Sequence, residues 1–462
     1  MDVPQLQNSK ISVIGAARSG IAVARLLKSK DARVFVSDNA PGENLESQIA
    51  HLESIGVKYE IGGHSERVYD CALMVLSPGV SSKASVVVEA QKRGIEIRSE
   101  LEVASWFCRA PIIAVTGSNG KTTTTTLVGR ILGDAKKRHV VAGNIGTAFS
   151  AVVPGLDETS VAVLEVSSFQ LDFSTTFHPK VSIILNITPD HMDRYDNSME
   201  KYSASKARIV LNQTGTDILI FNEEDEWCKR IVHDARCKTL PFSVNQQLGE
   251  GAFVRDNRLV TLLSGKQHNV IATDQISIPG VHNLYNSMAA VLAGQVMGVS
   301  VASIRATLKN FKGVEHRLEF VREVGGIRYV NDSKATNVHS VWYALQAYNE
   351  PIVLLLGGRD KGNDYSKLFD LVRRRVKGIV AIGESADKVA QAFQGKAKIE
   401  IIRSAGNGIP NRTSFEKAVQ AAKTLAQPGD VVLLSPACAS FDWFHDYEER
   451  GRIFKELVAE LS

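Results

Sequence analysis

Short β-branched and aliphatic runs alternate with helical patterns along the first hundred positions. Ile11–Ile14 precedes Gly20–Lys28, Val34–Val36 precedes Leu45–Ser54, and Leu73–Leu76 precedes Ala84–Lys92. This rhythm predicts parallel strands with helices on both faces of the sheet. A second series opens near Ser99: a helical stretch Glu100–Phe107, a strand Ile112–Val115, a helix reaching Leu132, and strands at Val161–Glu165, Val181–Leu185 and Ile218–Phe221. Ser243–Ile278 reads as shorter strands and turns, and a helix carrying His282 and Asn283 runs on to about Val296. The pattern resets near Gly313 with a hairpin, Leu318–Val324 and Ile327–Val330 joined at Gly325-Gly326. Alternating units follow at Ile352–Leu356, Gly378–Ile382, Ile399–Ile402 and Val431–Leu434. The expectation is an α/β chain of three domains. Residues 1–99 would be Rossmann-like, 100–313 a P-loop ATPase-like domain with a mostly parallel sheet, and 314–462 Rossmann-like again.

Composition narrows the class. The chain has 462 residues, where one domain typically uses roughly 150. Hydrophobic residues make up 44% and charged residues 23%, which excludes a disordered or fibrous chain. A formal net charge of +4 leaves no footprint for a nucleic-acid duplex or an anionic membrane, so neither is expected as a partner. The basic runs Lys136–Arg138 and Arg373–Arg375 read as solvated faces. The five cysteines form neither a C-x-x-C pair nor a zinc set, which predicts a reducing compartment. The N-terminus lacks an apolar segment behind a basic start. The longest uncharged apolar-leaning stretch, Val140–Leu156, is broken by Gly143, Asn144, Gly146 and Pro154, so a cytoplasmic protein without a membrane span is expected.

The most specific chemistry lies in Gly117, Ser118, Asn119, Gly120, Lys121, Thr122 and Thr123, between a strand and a helix. Backbone N–H groups and the helix N-terminus there would cradle phosphates, with Lys121 on the terminal phosphates and the Thr122 hydroxyl suited to Mg²⁺. Val115 stands where a full Walker pattern has glycine, so the loop is a shortened form. Glu165 ends an apolar strand and could hold the nucleotide's Mg²⁺; alone it would equally be a solvated strand end. Asp190 and His191 end the next strand and should open on the same sheet edge. Lys206, by periodicity alone, is a surface lysine, and Asn283 at a helix start is as readily a cap. Arg317 stands at the junction with the third domain, where it could swing onto a γ-phosphate. Three later strand ends bring Lys334 and Thr336, Lys361, and Ser440 toward one crevice, whose ammonium and hydroxyl groups suit a small doubly acidic ligand. The turn Gly15–Gly20, followed by Asp38, reads as an anion-binding helix start; with Ala17 at the second glycine of a dinucleotide fingerprint, it does not predict NAD.

Thr116–Thr122, Leu164–Ser168, Asn186–His191, Gly280–Asn283, Glu315–Arg317 and Asn331–Thr336, in that order over nearly the whole chain, resemble the Mur ligases. These are the ATP-dependent amino-acid-adding enzymes of peptidoglycan synthesis. The segment Leu434–Gly451 is similar to the branch that adds D-glutamate, and the Asp-Asn-Pro-Arg segment that reads diaminopimelate in a sister enzyme is missing. The resemblance implies that ATP phosphorylates the carboxylate of UDP-N-acetylmuramoyl-L-alanine and that the D-glutamate amine attacks the acyl phosphate. It further implies that Lys121 and Thr122 bind phosphates and a first Mg²⁺, that Glu165 completes that site, and that His191 holds a second Mg²⁺. Lys206 would carry a CO₂-derived carbamate facing the metal, which reverses the surface-lysine reading. Asn283 would contact adenine, Asp332 ribose and Arg317 the γ-phosphate, with Lys334 offsetting charge on the phosphoryl group. Thr336, Lys361, Ser440 and Tyr447 would hold D-glutamate. Asn144, Ser167 and Gln170 would surround the muramoyl-alanine end, and Arg18, Asp38, Asn39, Ser77, Pro78 and Gly79 the UDP moiety. The turn departs from the family in reading Ala-Ala-Arg-Ser where a second internal glycine is common, and Tyr447 adds a hydroxyl to what can be a plain aromatic. A monomer is expected, with hinge motion of the third domain over ATP. Two alternatives stay open on sequence alone: another ligase of this architecture, such as a folylpolyglutamate synthase or a sister Mur ligase, and a non-catalytic P-loop nucleotide switch.

Overall fold

The computed structural model describes residues 6–42, 45–360, 362–404 and 409–461. They build three sheets. The first has five parallel strands, β1 (Lys10–Ile14), β2 (Arg33–Asp38), β3 (Lys58–Ile61), β4 (Leu73–Leu76) and β5 (Glu96–Ser99), in the order β3-β2-β1-β4-β5. The order reverses between β1 and β4, so the loops leaving these neighbours run to opposite faces and open a crevice at their carboxyl ends.

The second sheet has nine strands: β6 (Ile112–Thr116), β7 (His139–Gly143), β8 (Val161–Glu165), β9 (Val181–Ile184), β10 (Ile218–Asn222), β11 (Lys238–Ser243), β12 (Gly251–Arg255), β13 (Arg258–Leu263) and β14 (Lys266–Ala272). Their order is β14-β13-β12-β11-β10-β9-β6-β8-β7, parallel from β7 to β12 and antiparallel beyond. The third has β15 (Glu319–Val324), β16 (Ile327–Asn331), β17 (Ile352–Gly357), β18 (Val376–Ile382), β19 (Lys398–Ile402) and β20 (Val431–Leu434), in the order β15-β16-β20-β17-β18-β19. Only the β15–β16 hairpin is antiparallel there.

Strands covered on both faces carry unbroken apolar runs, and β4, β6, β8, β17 and β20 are buried at every position. Each Leu, Ile or Val so buried contributes about 1.5–3 kcal/mol. Four strands are absent from the pattern read above: β3 (KYEI), β5 (EIRS), β7 (HVVAG) and β11 (KTLPFS). The first three are sheet edges, where one side faces solvent and a long apolar run is not required, whereas β11 is interior and its pattern is broken by Thr239 and Pro241. The helix Lys121–Asp134 packs on β6, β7 and β8 of the second sheet and buries Leu127, Val128, Ile131 and Leu132. Gly129 lets it approach β7, since a Cβ there would lie 2.4 Å from Val141 Cγ2.

The chain packs as two compact units. One runs to Thr273 and takes in Tyr285–Leu308; the other comprises Asp274–Leu284 and the residues from Lys309 onward. No helix among the described residues is long and apolar enough to cross a membrane. The five cysteines are unpaired.

Candidate active site

The loop between β6 and the helix Lys121–Asp134 turns through two glycines with positive φ, Gly117 at 153° and Gly120 at 84°. Gly120 is the residue at the helix start, and a Cβ on it would stand 2.3 Å from Asn286 Oδ1. The loop is stitched to the end of β9: Asn119 N donates to Asn186 Oδ1 at 2.9 Å, Asn186 Nδ2 returns a bond to Asn119 O at 3.1 Å, and Ser118 Oγ donates to Thr188 O at 2.8 Å. Such cross-bracing fixes the backbone N–H groups that a phosphate needs.

Two lysines converge on this loop. Lys121 Nζ donates to Gly117 O at 2.8 Å and to Ser118 O at 3.0 Å, and Lys206 Nζ donates to the same Gly117 O at 3.0 Å. Helical periodicity alone put Lys206 on the surface; the structure corrects this, for it is 1% exposed. Its helix, Met199–Ala207, packs against the helices Ser168–Asp172 and Glu226–His233 and brings Lys206 onto the phosphate loop, so tertiary packing, not local pattern, covers the side chain. Burial first, and then the neighbouring Lys121 charge, hold Lys206 well below the usual lysine range. Tyr202, buried one turn earlier, places its ring 4.6 Å below the Lys206 nitrogen and its hydroxyl 3.1 Å from Ser118 Oγ.

On the other side of the loop Thr122 Oγ1 donates to Glu165 Oε2 at 2.8 Å, and Asn144 Nδ2 donates to Glu165 Oε1 at 2.9 Å. Glu165 is 2% exposed, so each carboxylate oxygen depends on its single donor. Gly143 allows the close approach: a Cβ there would sit 2.4 Å from Glu165 O. A hydroxyl and a carboxylate oxygen beside a phosphate loop are hard donors that fit Mg²⁺. An ammonium at Lys206 does not fit a second cation, whereas an anionic carbamate on that nitrogen would.

A cavity of about 330 Å³ gathers Lys121, Asn144, Ser167, Asp190, His191 and Lys206. His191, at φ 53°, packs edge-to-face with Phe169, 4.9 Å between centroids, and the Arg194 guanidinium stacks over the Phe169 ring at 3.9 Å. A larger cavity of about 520 Å³ lies at the β1/β4 crevice, lined by Arg18, Asp38, Asn39, Ser77, Pro78 and Gly79 among others. Pro78, Gly79 and Asn144 line both cavities, so the two adjoin. Asp38 ties the crevice together, accepting from Ala16 N at 2.6 Å and Ala40 N at 2.8 Å. Gly20 permits the turn, because a Cβ there would fall 1.8 Å from Gly15 O. Gln170 lines neither cavity. It is 1% exposed and closes a capping box on the short helix Ser168–Asp172, its Oε1 accepting from Ser167 N and Ser167 Oγ at 3.0 Å. Thr123 is buried in the first turn of its helix.

In the second unit, the order β16-β20-β17 sets three of the expected strand ends side by side. Asp332, after β16, is 2% exposed and accepts from Ser435 Oγ at 2.8 Å and Leu318 N at 3.3 Å. Burial raises its pKa to about 6 against the pull of Arg317 and these donors. Lys334 Nζ stands 5.2 Å from the Tyr447 ring, Ser440 is buried after β20, and Thr336 is half-buried. Lys361 lies outside the described residues. Asn283 donates from Nδ2 to Pro279 O at 2.7 Å.

Two residues escaped the sequence reading. Asn286, three positions after Asn283 on one helix, is 4% exposed and abuts Gly120; the i, i+3 spacing was the available signal. Arg450 is 1% exposed and donates from Nε to Ser333 Oγ at 2.9 Å, from Nη2 to Ser333 O at 2.7 Å and from Nη1 to Cys438 O at 3.3 Å, locking the loops after β16 and β20. Within a charged helix start nothing in the sequence marked it as buried.

Known proteins carry the same plan. Residues 10–86 match the MurD N-terminal domain, 115–294 the Mur ligase middle domain, and 316–438 the glutamate ligase domain of Mur ligases. The chain is 44% identical to a UDP-N-acetylmuramoylalanine--D-glutamate ligase of Salinibacter ruber, with 100% of both chains covered, and 44% identical to one of Chloroherpeton thalassium, with 99% of both covered. Among solved structures it shares a fold with the UDP-N-acetylmuramate-alanine ligase MurC of Thermotoga maritima, at TM-score 0.61 and 20% identity over 98% of this chain and 99% of that one. With three matching domains in sequence order and relatives alike from end to end, the chain belongs to the Mur ligase family.

Proposed function

We infer that the enzyme joins D-glutamate to UDP-N-acetylmuramoyl-L-alanine with cleavage of ATP to ADP and phosphate, a carbon–nitrogen ligation of peptidoglycan synthesis. The observation that carries this reading is the 44% identity that extends over the whole length of enzymes named for that reaction. A sister ligase, a folylpolyglutamate synthase and a nucleotide switch are not favoured.

The site residues act as follows in this reading. A carboxylate is a poor electrophile, so an oxygen of the alanyl carboxylate attacks the γ-phosphorus and ADP departs. The amine of D-glutamate then attacks the acyl carbon, and phosphate leaves as the amide forms and the amine sheds a proton. Lys121 offsets charge on the migrating phosphoryl group, with Lys334 and Arg317 serving the same end. The Gly117–Thr123 loop binds the phosphates, Asn283 the adenine and Asp332 the ribose. Thr122 and Glu165 would hold one Mg²⁺, and His191 with a Lys206 carbamate a second. When bound, these ions polarise phosphoryl oxygens. Carbamate formation needs the neutral amine: the Nζ lone pair attacks CO₂, an N–C bond forms and one proton is released. The depressed basicity of Lys206, caused first by its burial and then by the Lys121 charge, supports that step.

The larger cavity would receive the UDP moiety through Arg18, Asp38, Asn39, Ser77, Pro78 and Gly79, and the smaller one the muramoyl-alanine end beside Asn144 and Ser167. Gln170 would act there by shaping Ser167. Thr336, Lys361, Ser440 and Tyr447 would hold D-glutamate. We take 1–99, 100–313 and 314–462 as the domains, a division that follows the three sheets, and expect a cytoplasmic monomer.

The test is phosphate release with ATP, Mg²⁺ and UDP-N-acetylmuramoyl-L-alanine, comparing D-glutamate, L-glutamate, L-lysine and meso-diaminopimelate. Release dependent on D-glutamate, with a product heavier by one glutamyl residue, is expected. Release with another amino acid would overturn the acceptor assignment, and release independent of any would overturn the ligase reading.

A further inference from the structure

One side chain bordering the larger cavity has no role in the preceding account. His64 lines that cavity with Arg18, Asp38 and Ser77. Its Nδ1 lies 2.7 Å from Oγ of Ser37, which is fully buried on β2. The Ser37 hydroxyl has one proton and two acceptor-only neighbours, Glu60 Oε1 at 2.8 Å and Gly63 O at 3.3 Å. Burial pushes Glu60 upward, but hydrogen bonds from Ser65 and Ser37 outweigh it and hold the carboxyl below its usual range. Glu60 is therefore an ionised acceptor at neutral pH, and the Ser37 proton is committed to it.

A hydroxyl that has spent its proton can only accept from the imidazole. Nδ1 of His64 must then carry hydrogen, and a neutral ring protonated on Nδ1 presents its lone pair on Nε2. Burial lowers the pKa of His64 against the opposing pull of Asp38 and Glu60, which keeps the ring neutral. Ser37 is the one hydrogen-bond partner of the ring among the described residues. The cavity thus borders on a residue whose second nitrogen is an acceptor that receives no hydrogen bond from the described residues.

We propose that His64 is a binding residue of this cavity, its Nε2 accepting a hydrogen bond from an N–H or O–H donor of the uridine while Ser37 and Glu60 hold the ring in the accepting tautomer. The proposal rests on reading the cavity as the UDP site. Uridine offers two kinds of donor, N3–H of the base and the ribose hydroxyls. If the base supplies it, cytidine is rejected, because its N3 brings a lone pair against a lone pair.

The experiment uses steady-state kinetics of the full-length enzyme with His64→Leu, His64→Gln and His64→Asn, each checked by thermal melting. Inhibition by UDP, N3-methyl-UDP and 2′,3′-dideoxy-UDP, which lacks both ribose hydroxyls, is measured alongside. His64→Leu is expected to raise KM for the UDP substrate about tenfold, the scale of one lost hydrogen bond, with kcat and the KM values for ATP and D-glutamate within twofold of wild type. Glutamine, whose Oε1 reaches the Nε2 position, should recover most of the loss. Asparagine, which replaces only the Nδ1 edge, should not. Of the two UDP analogues, one should bind wild-type enzyme as weakly as UDP binds the leucine variant, and it identifies base or ribose as the donor.

Rescue by asparagine but not glutamine, or an unchanged KM in His64→Leu, or full potency of both analogues, would overturn the proposal. Gly79→Phe separates this from failure of the site itself. A side chain there enters open space and would fill the cavity. If Gly79→Phe weakens the UDP substrate while His64→Leu does not, the His64 role falls and the site stands. If neither does, the UDP-site reading falls with it.

Discussion

Lys121 and Lys206 donate to one and the same oxygen, the carbonyl of Gly117, at 2.8 and 3.0 Å. Two ammonium groups sharing an acceptor repel each other, and the buried one yields its proton more readily. Lys206 is the buried one, and the neutral amine so favoured is the form that the proposed carbamate requires. Lys206→Ala should lower kcat by about 10² or more, and short-chain carboxylates added to the assay should restore part of the activity. Full activity without additive would sink the carbamate assignment.

Gly120 turns the phosphate loop at φ 84°, with Asn286 Oδ1 where a Cβ would go. Gly120→Ala should cost about 1–3 kcal/mol of stability from strain and clash together, and weaken nucleotide binding. Adding Asn286→Ala removes the clash but not the strained φ. The double variant should therefore melt between the single Gly120→Ala variant and wild type. Equal melting of the two would show that the contact carries no energy.

Asp332 supplies a pH signature. Its folded-state pKa of about 6 stands above the ordinary 3.8, so the folded state holds the proton more tightly than the unfolded one. Its contribution to stability is complete below about pH 4 and is lost as pH rises through 6, by at most about 3 kcal/mol for a shift of about two units. Denaturant titrations should therefore find Asp332→Asn more favourable relative to wild type at pH 7 than at pH 4.5. The same variant should raise the KM for ATP. A stability difference that is flat with pH would refute the burial penalty.

Arg450 is charged even though burial lowers its pKa to about 10. Arg450→Leu strands the Ser333 and Cys438 carbonyls and should cost about 3–5 kcal/mol, enough to impair folding. Arg450→Lys keeps the charge but replaces a fork with a point. It should remain folded, with KM for D-glutamate raised several-fold and KM for the UDP substrate unchanged. Equal effects on both would assign Arg450 to general stability.

The architecture was legible where physics leaves a local mark. Strands covered on both faces show as apolar runs, and the phosphate loop shows because strand, glycines and helix come in fixed order. Edge strands such as Glu96–Ser99 leave no run. By periodicity Lys206 reads as a surface charge and Arg450 leaves no mark, because their burial is made by elements distant in sequence. The local role of Gln170 was also legible, since Ser167-x-x-Gln170 is the spacing of a capping box.

The position of β20 has a consequence for how the protein is made. The strand that separates β16 from β17 is the last of the six in the chain, so those two cannot pair directly and both wait for Val431–Leu434. During vectorial synthesis the nine-stranded sheet can form early from its own residues. The acceptor side of the enzyme must stay open at its centre until the final strand emerges. A nascent chain should therefore gain a folded phosphate loop well before ligase activity, exposing the flanks of β16 and β17 to mispairing in the interval.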